Sequence, residues 1–132
     1  MRAGFLLPLL AVSAASPPTP GGCPATITPA ETLTAPDGWS SWSTRGTIDR
    51  SFTGVTFSDG DPSGRAFLAP DSLTRTKAGR VERYDLTATH GAVWLSCQYD
   101  GSTIAIARAT ALRGKMCTAR YAGSRLAALS CR

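Results

Sequence analysis

The side chains in this chain that could carry chemistry are few: four cysteines, a single histidine and two glutamates. Cys23, Cys97, Cys117 and Cys131 contain no C-x-x-C pair and have no histidine pair beside them. Tetrahedral zinc and thiol exchange both need that close spacing, so these cysteines read as structural disulfides. His90 can be drawn into a hydrolase triad with Asp85 and neighbouring serines. It stands before Gly91 at the start of a strand, however, and no G-x-S-x-G elbow exists to present a nucleophile. A turn histidine is the expectation. Asp59 and Asp61 flank Gly60 ahead of Pro62, which suggests calcium, but the rest of a D-x-[DN]-x-[DN]-G loop is missing and the set reads as a turn. With so few acid-base groups the sequence offers no catalytic residue, no metal site and no cofactor, and an enzyme is not expected.

Residues suited to recognition are easier to find. Trp39-Ser40-Ser41-Trp42-Ser43 matches the W-S-x-W-S string of cytokine receptors and thrombospondin modules without their cysteine framework. Its physical content is two large aromatics three apart, which either close the edge of a core or present an anchor to a partner. A small domain has few large residues to spare, and that weights the core. Charge is uneven: residues 75–132 carry ten Lys/Arg against three acids, whereas residues 24–74 carry three Arg against six acids. Spaced single charges usually mark solvated strand faces. Read instead as one recognition face, Arg108, Arg113, Lys115, Arg120 and Arg125 would suit an acidic protein or an envelope polyanion. Trp39, Trp42, Arg108, Arg113 and Lys115 are the candidate binding residues. Nucleic acid is not an expected partner, because aromatics are not interleaved with the basic strip beyond Trp94.

The elements that must position these residues are strands. Val93, Leu95, Cys97 and Tyr99 alternate with Trp94, Ser96 and Gln98, the period of a half-buried strand. Asp100-Gly101 follows, a dipeptide suited to a tight hairpin, and Thr103 to Ala107 supplies the returning strand. A second hairpin joins Lys115 to Tyr121 with Arg125 to Cys131 through Ala122-Gly123-Ser124. Cys117, Ala119 and Tyr121 share one face of its first strand, and Ala127, Leu129 and Cys131 share one face of its second. Ile48 to Phe57 and Arg80 to Thr87 are further strands, with Tyr84 and Leu86 opposed to Arg83 and Asp85. No window sustains helical periodicity, and nine prolines and thirteen glycines punctuate the chain. The fold class is mainly β: a small antiparallel, sandwich-like domain with C-terminal hairpins, stapled by two disulfides. Four cysteines allow three pairings. Cys117 and Cys131 lie an even number apart across a single hairpin turn and can share a face, which favours Cys117 with Cys131 and Cys23 with Cys97.

Met1-Arg2, the apolar Phe5 to Val12 and the small residues Ser13-Ala14-Ala15 have the layout of a secretory signal peptide. The apolar run falls far short of the roughly 20 residues that span a bilayer, so no integral membrane segment is expected after processing. Residues 1–15 read as the signal, 16–22 as a Pro/Gly-rich solvated leader, and 23–132 as a single disulfide-bridged β domain. A lipid on Cys23 would need an aliphatic residue three positions upstream, where Pro20 stands. The compartment expected is the periplasm or the exterior, where thiols oxidise.

CPATI at 23–27, VTFSDGDP at 55–62, AFLAP at 66–70, YDL at 84–86, VWLSCQYDG at 93–101 and the closing ALSCR together resemble a family of small periplasmic or secreted proteins of Gram-negative bacteria. The resemblance implies an exported, cysteine-bridged β domain. Tyr84 stands where relatives tend to carry tryptophan. Some relatives carry a Shiga toxin A subunit label, which would imply RNA N-glycosidase chemistry built on a Glu and an Arg one helical turn apart. Here the glutamates are Glu31, in a loop, and Glu82, in a strand, so that activity is not carried over.

Small size, a stapled scaffold, scarce acid-base residues and a polarised surface suit recognition better than catalysis. The expected function is a periplasmic or secreted protein-binding domain of the inhibitor or immunity type, directed against an envelope-directed enzyme or toxin. Its partner would be another envelope protein. The alternative is an envelope polyanion-binding or structural protein, and a hydrolase is third. N-terminal sequencing of exported protein should begin at Ser16, with Cys23 free of lipid; a diacylated Cys23 at the mature terminus would refute both the leader and the first disulfide.

Overall fold

The computed structural model describes residues 19–30, 34–41 and 48–132. The expected cleavage site, Glu31 and Trp42 lie outside these residues. Among them nine strands form two antiparallel sheets. In chain order they are β1 (Thr26–Ile27), β2 (Arg50–Asp59), β3 (Phe67–Leu68), β4 (Ser72–Arg75), β5 (Gly79–Asp85), β6 (Val93–Tyr99), β7 (Ile106–Ala109), β8 (Met116–Ala122) and β9 (Arg125–Cys131). One sheet runs β1-β2-β6-β7, with β3 also on β2; the other runs β4-β5-β8-β9. The mainly β class read from the alternation holds.

The inner faces make one core. Val93, Leu95, Cys97 and Tyr99 of β6 are all buried, as are Tyr84 of β5 and Leu86 just beyond it. Phe57 of β2 meets Tyr84 edge to face, with ring centroids 4.9 Å apart, so an aromatic pair spans the two sheets. Both disulfides form in the pairing favoured by spacing: Cys23 with Cys97 and Cys117 with Cys131. Met116 and Arg132 exchange both backbone hydrogen bonds, which leaves Cys117 and Cys131 as the neighbouring non-hydrogen-bonded pair. In such pairs the backbones approach most closely, and the two Cα atoms lie 4.1 Å apart.

Two expectations need correction. Asp100-Gly101 does turn, with Ser102 N–H donating to the Tyr99 carbonyl at 3.3 Å, but it does not close a two-residue hairpin. The end of β6 is held elsewhere: the Tyr99 hydroxyl donates to the Pro24 carbonyl and Asp100 N–H to the Ser51 carbonyl. The returning strand therefore starts only at Ile106, paired with Cys97. The second correction concerns β9, where a bulge interrupts the pairing with β8: Arg120 faces Ala128, but Tyr121 faces Leu126. Ala127 is the extra residue. It is exposed, and Leu126 takes its place in the core beside Leu129 and Cys131.

A matching bulge in β2 makes Thr53 the extra residue between Phe52 and Gly54. The second strand passes under Tyr121 here, and a Cβ at position 54 would fall 2.7 Å from the Tyr121 hydroxyl. Only glycine fits.

Leu126→Ala should cost about 2–5 kcal/mol in equilibrium urea unfolding of the oxidised protein. Ala127→Ser should stay within about 0.5 kcal/mol of the parent. Equal costs at the two positions would place the bulge elsewhere.

Candidate partner-binding site

The basic residues that sequence groups together part company in the fold. Arg108, on the edge strand β7, donates from Nη2 to the Gly21 carbonyl at 2.7 Å. Gly21 sits in a 3-10 turn, Pro20–Gly22, with φ 78°, and a side chain there would press within 3.4 Å of both Leu95 and Leu129. Gly21, in the segment read above as a solvated leader, thus lies half-buried against both sheets, while Gly22 is exposed. Lys115 joins Arg108 at a cleft of about 570 Å³ lined also by Leu95, Leu112, Leu129 and Cys131. This cleft runs between β7 and β9, the outermost strands of the two sheets on this side. It combines an apolar floor with two cations, the composition of a recognition surface rather than of a reaction centre.

The remaining basic residues take other roles. Arg113 is exposed in the turn before Lys115, where Lys115 N–H donates to the Leu112 carbonyl, and does not line the cleft. Arg125 straps the sheets together, giving Nη1 to the Phe52 carbonyl and Nη2 to the Asp100 carboxylate, each at 2.8 Å. Arg120 faces the outer side of the β5-β8-β9 sheet, beside Arg83 and Arg132. Five residues that could have formed one face therefore occupy at least three places. Trp39, weighted toward the core above, is 79% exposed. Trp42 lies outside the described residues.

Sequence reasoning passed over Gly21, Leu112 and Leu129 as lining residues, and Arg83 and Arg132 as neighbours of Arg120. The alternation already opposed Arg83 to Tyr84; the missing information was that β5 pairs with β8, setting Arg83 beside Thr118.

Among the described residues, the triad drawn from His90 and Asp85 and the calcium loop drawn from Asp59 and Asp61 do not form. The Asp85 carboxylate accepts from the Thr87 N–H and hydroxyl, not from His90. Instead the exposed His90 ring stands 3.3 Å from Asp59, whose carboxylate accepts the backbone N–H groups of His90 and Gly91 at 2.9 Å. Asp61 turns away to cap the 3-10 turn Pro62–Gly64 through Ser63 N–H. Asp59 and Asp61 thus serve separate turns, and no cluster of three metal-binding side chains occurs among the described residues. Glu82 is buried but fully engaged: Arg80 Nε donates to one oxygen at 2.7 Å and the Tyr84 hydroxyl to the other at 2.8 Å. The Arg80 guanidinium also lies 3.7 Å over the Tyr121 ring. Burial, and then the Glu82 carboxylate, push the Tyr84 phenol well above its ordinary range, so it remains a hydrogen-bond donor.

A family model for type VI secretion system Tli immunity proteins matches residues 45–132. The chain belongs to that family. Neither the curated proteins nor the solved structures yield a match. An immunity protein acts by engaging a toxin, which agrees with the inhibitor or immunity function expected from scaffold and composition. No helix among the described residues of this immunity protein is long and apolar enough to cross a membrane.

Backbone hydrogen bonds hold the Asp59 carboxyl below its ordinary range, and contacts with Ser63 and Thr87 do the same for Asp61 and Asp85. A carboxylate depressed in the native state contributes stability that is complete above its unfolded pKa, near 4, and is lost as pH falls through the lower folded value. The melting midpoint of the immunity protein should therefore fall on acidification below about pH 4. Asp59→Asn should lower the midpoint at neutral pH and make the acid-side decline shallower. An unchanged decline would show that Asp59 is not linked to folding.

Proposed function

We propose that the chain is exported to the periplasm and there neutralises an envelope-directed toxin by stoichiometric binding, without catalysing a reaction. The cleft between β7 and β9 is the contact surface in this reading, with Arg108 and Lys115 meeting acidic groups of the toxin and Leu95, Leu112 and Leu129 meeting apolar ones. Export is supported by the signal-like residues 1–15 and by two disulfides that need an oxidising compartment.

The observation that carries the reading is the preformed cleft itself. Its floor is built from core residues and its cation is fixed by a backbone carbonyl. A partner would have little side-chain freedom left to freeze there, and that raises affinity for a given contact area. The one histidine, His90, stands exposed against Asp59 with no hydroxyl bonded to its ring among the described residues.

The full chain, expressed with its own leader, should protect cells that receive a type VI toxin in their periplasm; a chain lacking residues 1–15 should not. Purified mature protein should bind that toxin one to one. Arg108→Ala with Lys115→Glu should weaken binding by about tenfold or more while the protein stays folded. Binding unaffected by the pair would remove the cleft from the interface, and absence of both protection and binding would remove the toxin from this protein's targets.

A further inference from the structure

The outer face of the β5-β8-β9 sheet carries a second recess, of about 430 Å³, on the other side of β9 from the cleft. Strand register builds it. Arg83 pairs with Thr118, and Thr118 pairs with Ser130, so one row across the sheet ends in two short hydroxyl side chains. Arg120 stands two residues along β8, and Arg132 two residues along from Ser130. Three long guanidinium side chains thus surround a floor of Thr and Ser, with Met116, 49% exposed, at one end.

Among the described residues none of Arg83, Arg120 and Arg132 forms an ion pair with a carboxylate. Two carboxylates flank the recess without pairing to its arginines: Asp85, in register with Met116, is engaged by Thr87, and Asp71 accepts the Asp85 N–H; Glu82 faces the core with Arg80. Guanidinium groups hold carboxylates through paired, parallel hydrogen bonds, which compact ammonium groups cannot match. The recess is also continuous with the cleft around one strand: Cys131 and Lys115 line the cleft, and their chain neighbours Arg132 and Met116 line the recess. A partner seated in the cleft needs to pass only the edge of β9 to reach the arginines.

We propose that this arginine recess is a second docking surface for the toxin, receiving an acidic segment rich in Asp or Glu while the cleft receives apolar groups. The inference rests on the immunity reading and adds to it the chemistry of the partner. Charges at the periphery of an interface act mainly on encounter. Their removal should therefore appear in the association rate and its salt dependence.

The test measures association of the full mature protein with the toxin against which the wild-type chain protects cells, over a range of salt concentrations. Arg83→Glu with Arg120→Glu should slow association about tenfold or more at low salt and flatten its salt dependence. The melting midpoint should stay in place, since among the described residues neither guanidinium has an ion-pair partner. Arg83→Lys with Arg120→Lys should retain most of the salt dependence, because charge is kept, but dissociate faster, because paired hydrogen bonding is lost. Wild-type binding that is sensitive to Arg108 and Lys115 but indifferent to the double reversal would overturn this inference and leave the immunity reading standing. Reversal that leaves toxin association intact but abolishes binding to vesicles of phosphatidylglycerol and phosphatidylethanolamine would also overturn it, assigning the recess to lipid phosphates.

Discussion

The bond between Cys23 and Cys97 ties the start of the domain to the middle of β6, across 74 residues of chain. Much of the cleft between β7 and β9 depends on that link. A short segment rich in proline and glycine has no apolar face with which to hold itself on a sheet. Fixed at Cys23, the same segment lays Gly21 against Leu95 and Leu129 and presents the Gly21 carbonyl to Arg108. By the chain-entropy argument, closing so long a loop contributes roughly 3–5 kcal/mol, a large share of the stability of a domain this size. The disulfide thus supports the fold and also positions one wall of the cleft.

The second constraint is the polar strip on the inner side of β5. Arg80, Glu82 and Tyr84 alternate toward the opposing sheet, and each is satisfied by the next or by the Tyr121 ring. A buried carboxylate left unpaired would cost several kcal/mol, so this set tolerates few alternative arrangements. The bulges in β2 and β9 lie at the same level, where Tyr121 crosses Gly54 and Arg125 reaches the Phe52 carbonyl. Together these contacts fix how the sheets sit on one another. They therefore fix the separation of β7 and β9, which defines the cleft.

For an immunity protein, whose task is to engage a toxin, a rigid and preformed surface is the useful property. The strand β9 organises the cleft and the arginine recess by its alternation. Leu129 and Cys131 look into the cleft, and Ser130 and Arg132 look into the arginine recess. One edge strand thus presents an apolar side and a cationic side to the same region of solvent. The charges have a protective effect as well, since cations beside an edge strand discourage indiscriminate pairing with other chains.

The sequence alone determined what depends on local alternation. The strand at Val93 to Tyr99, the face shared by Cys117, Ala119 and Tyr121, the absence of helical periodicity and the disulfide pairing all follow from side-chain period and from parity across one turn. The same local logic placed Asp61 and His90 in turns, whereas Asp59 closes β2 in register with Val93. What only the tertiary structure decided was anything that needed a partner distant in the chain. The bulge at Ala127 shifts the phase of β9 so that Leu126 is buried, and the delayed start of β7 follows from contacts of Tyr99 and Asp100 with Pro24 and Ser51. The division of the basic residues among cleft, strap and recess has the same origin. Charge is legible in a sequence, but the pairing of β5 with β8 and the seating of Gly21 between two sheets decide which charges meet, and both are set by contacts between residues far apart along the chain.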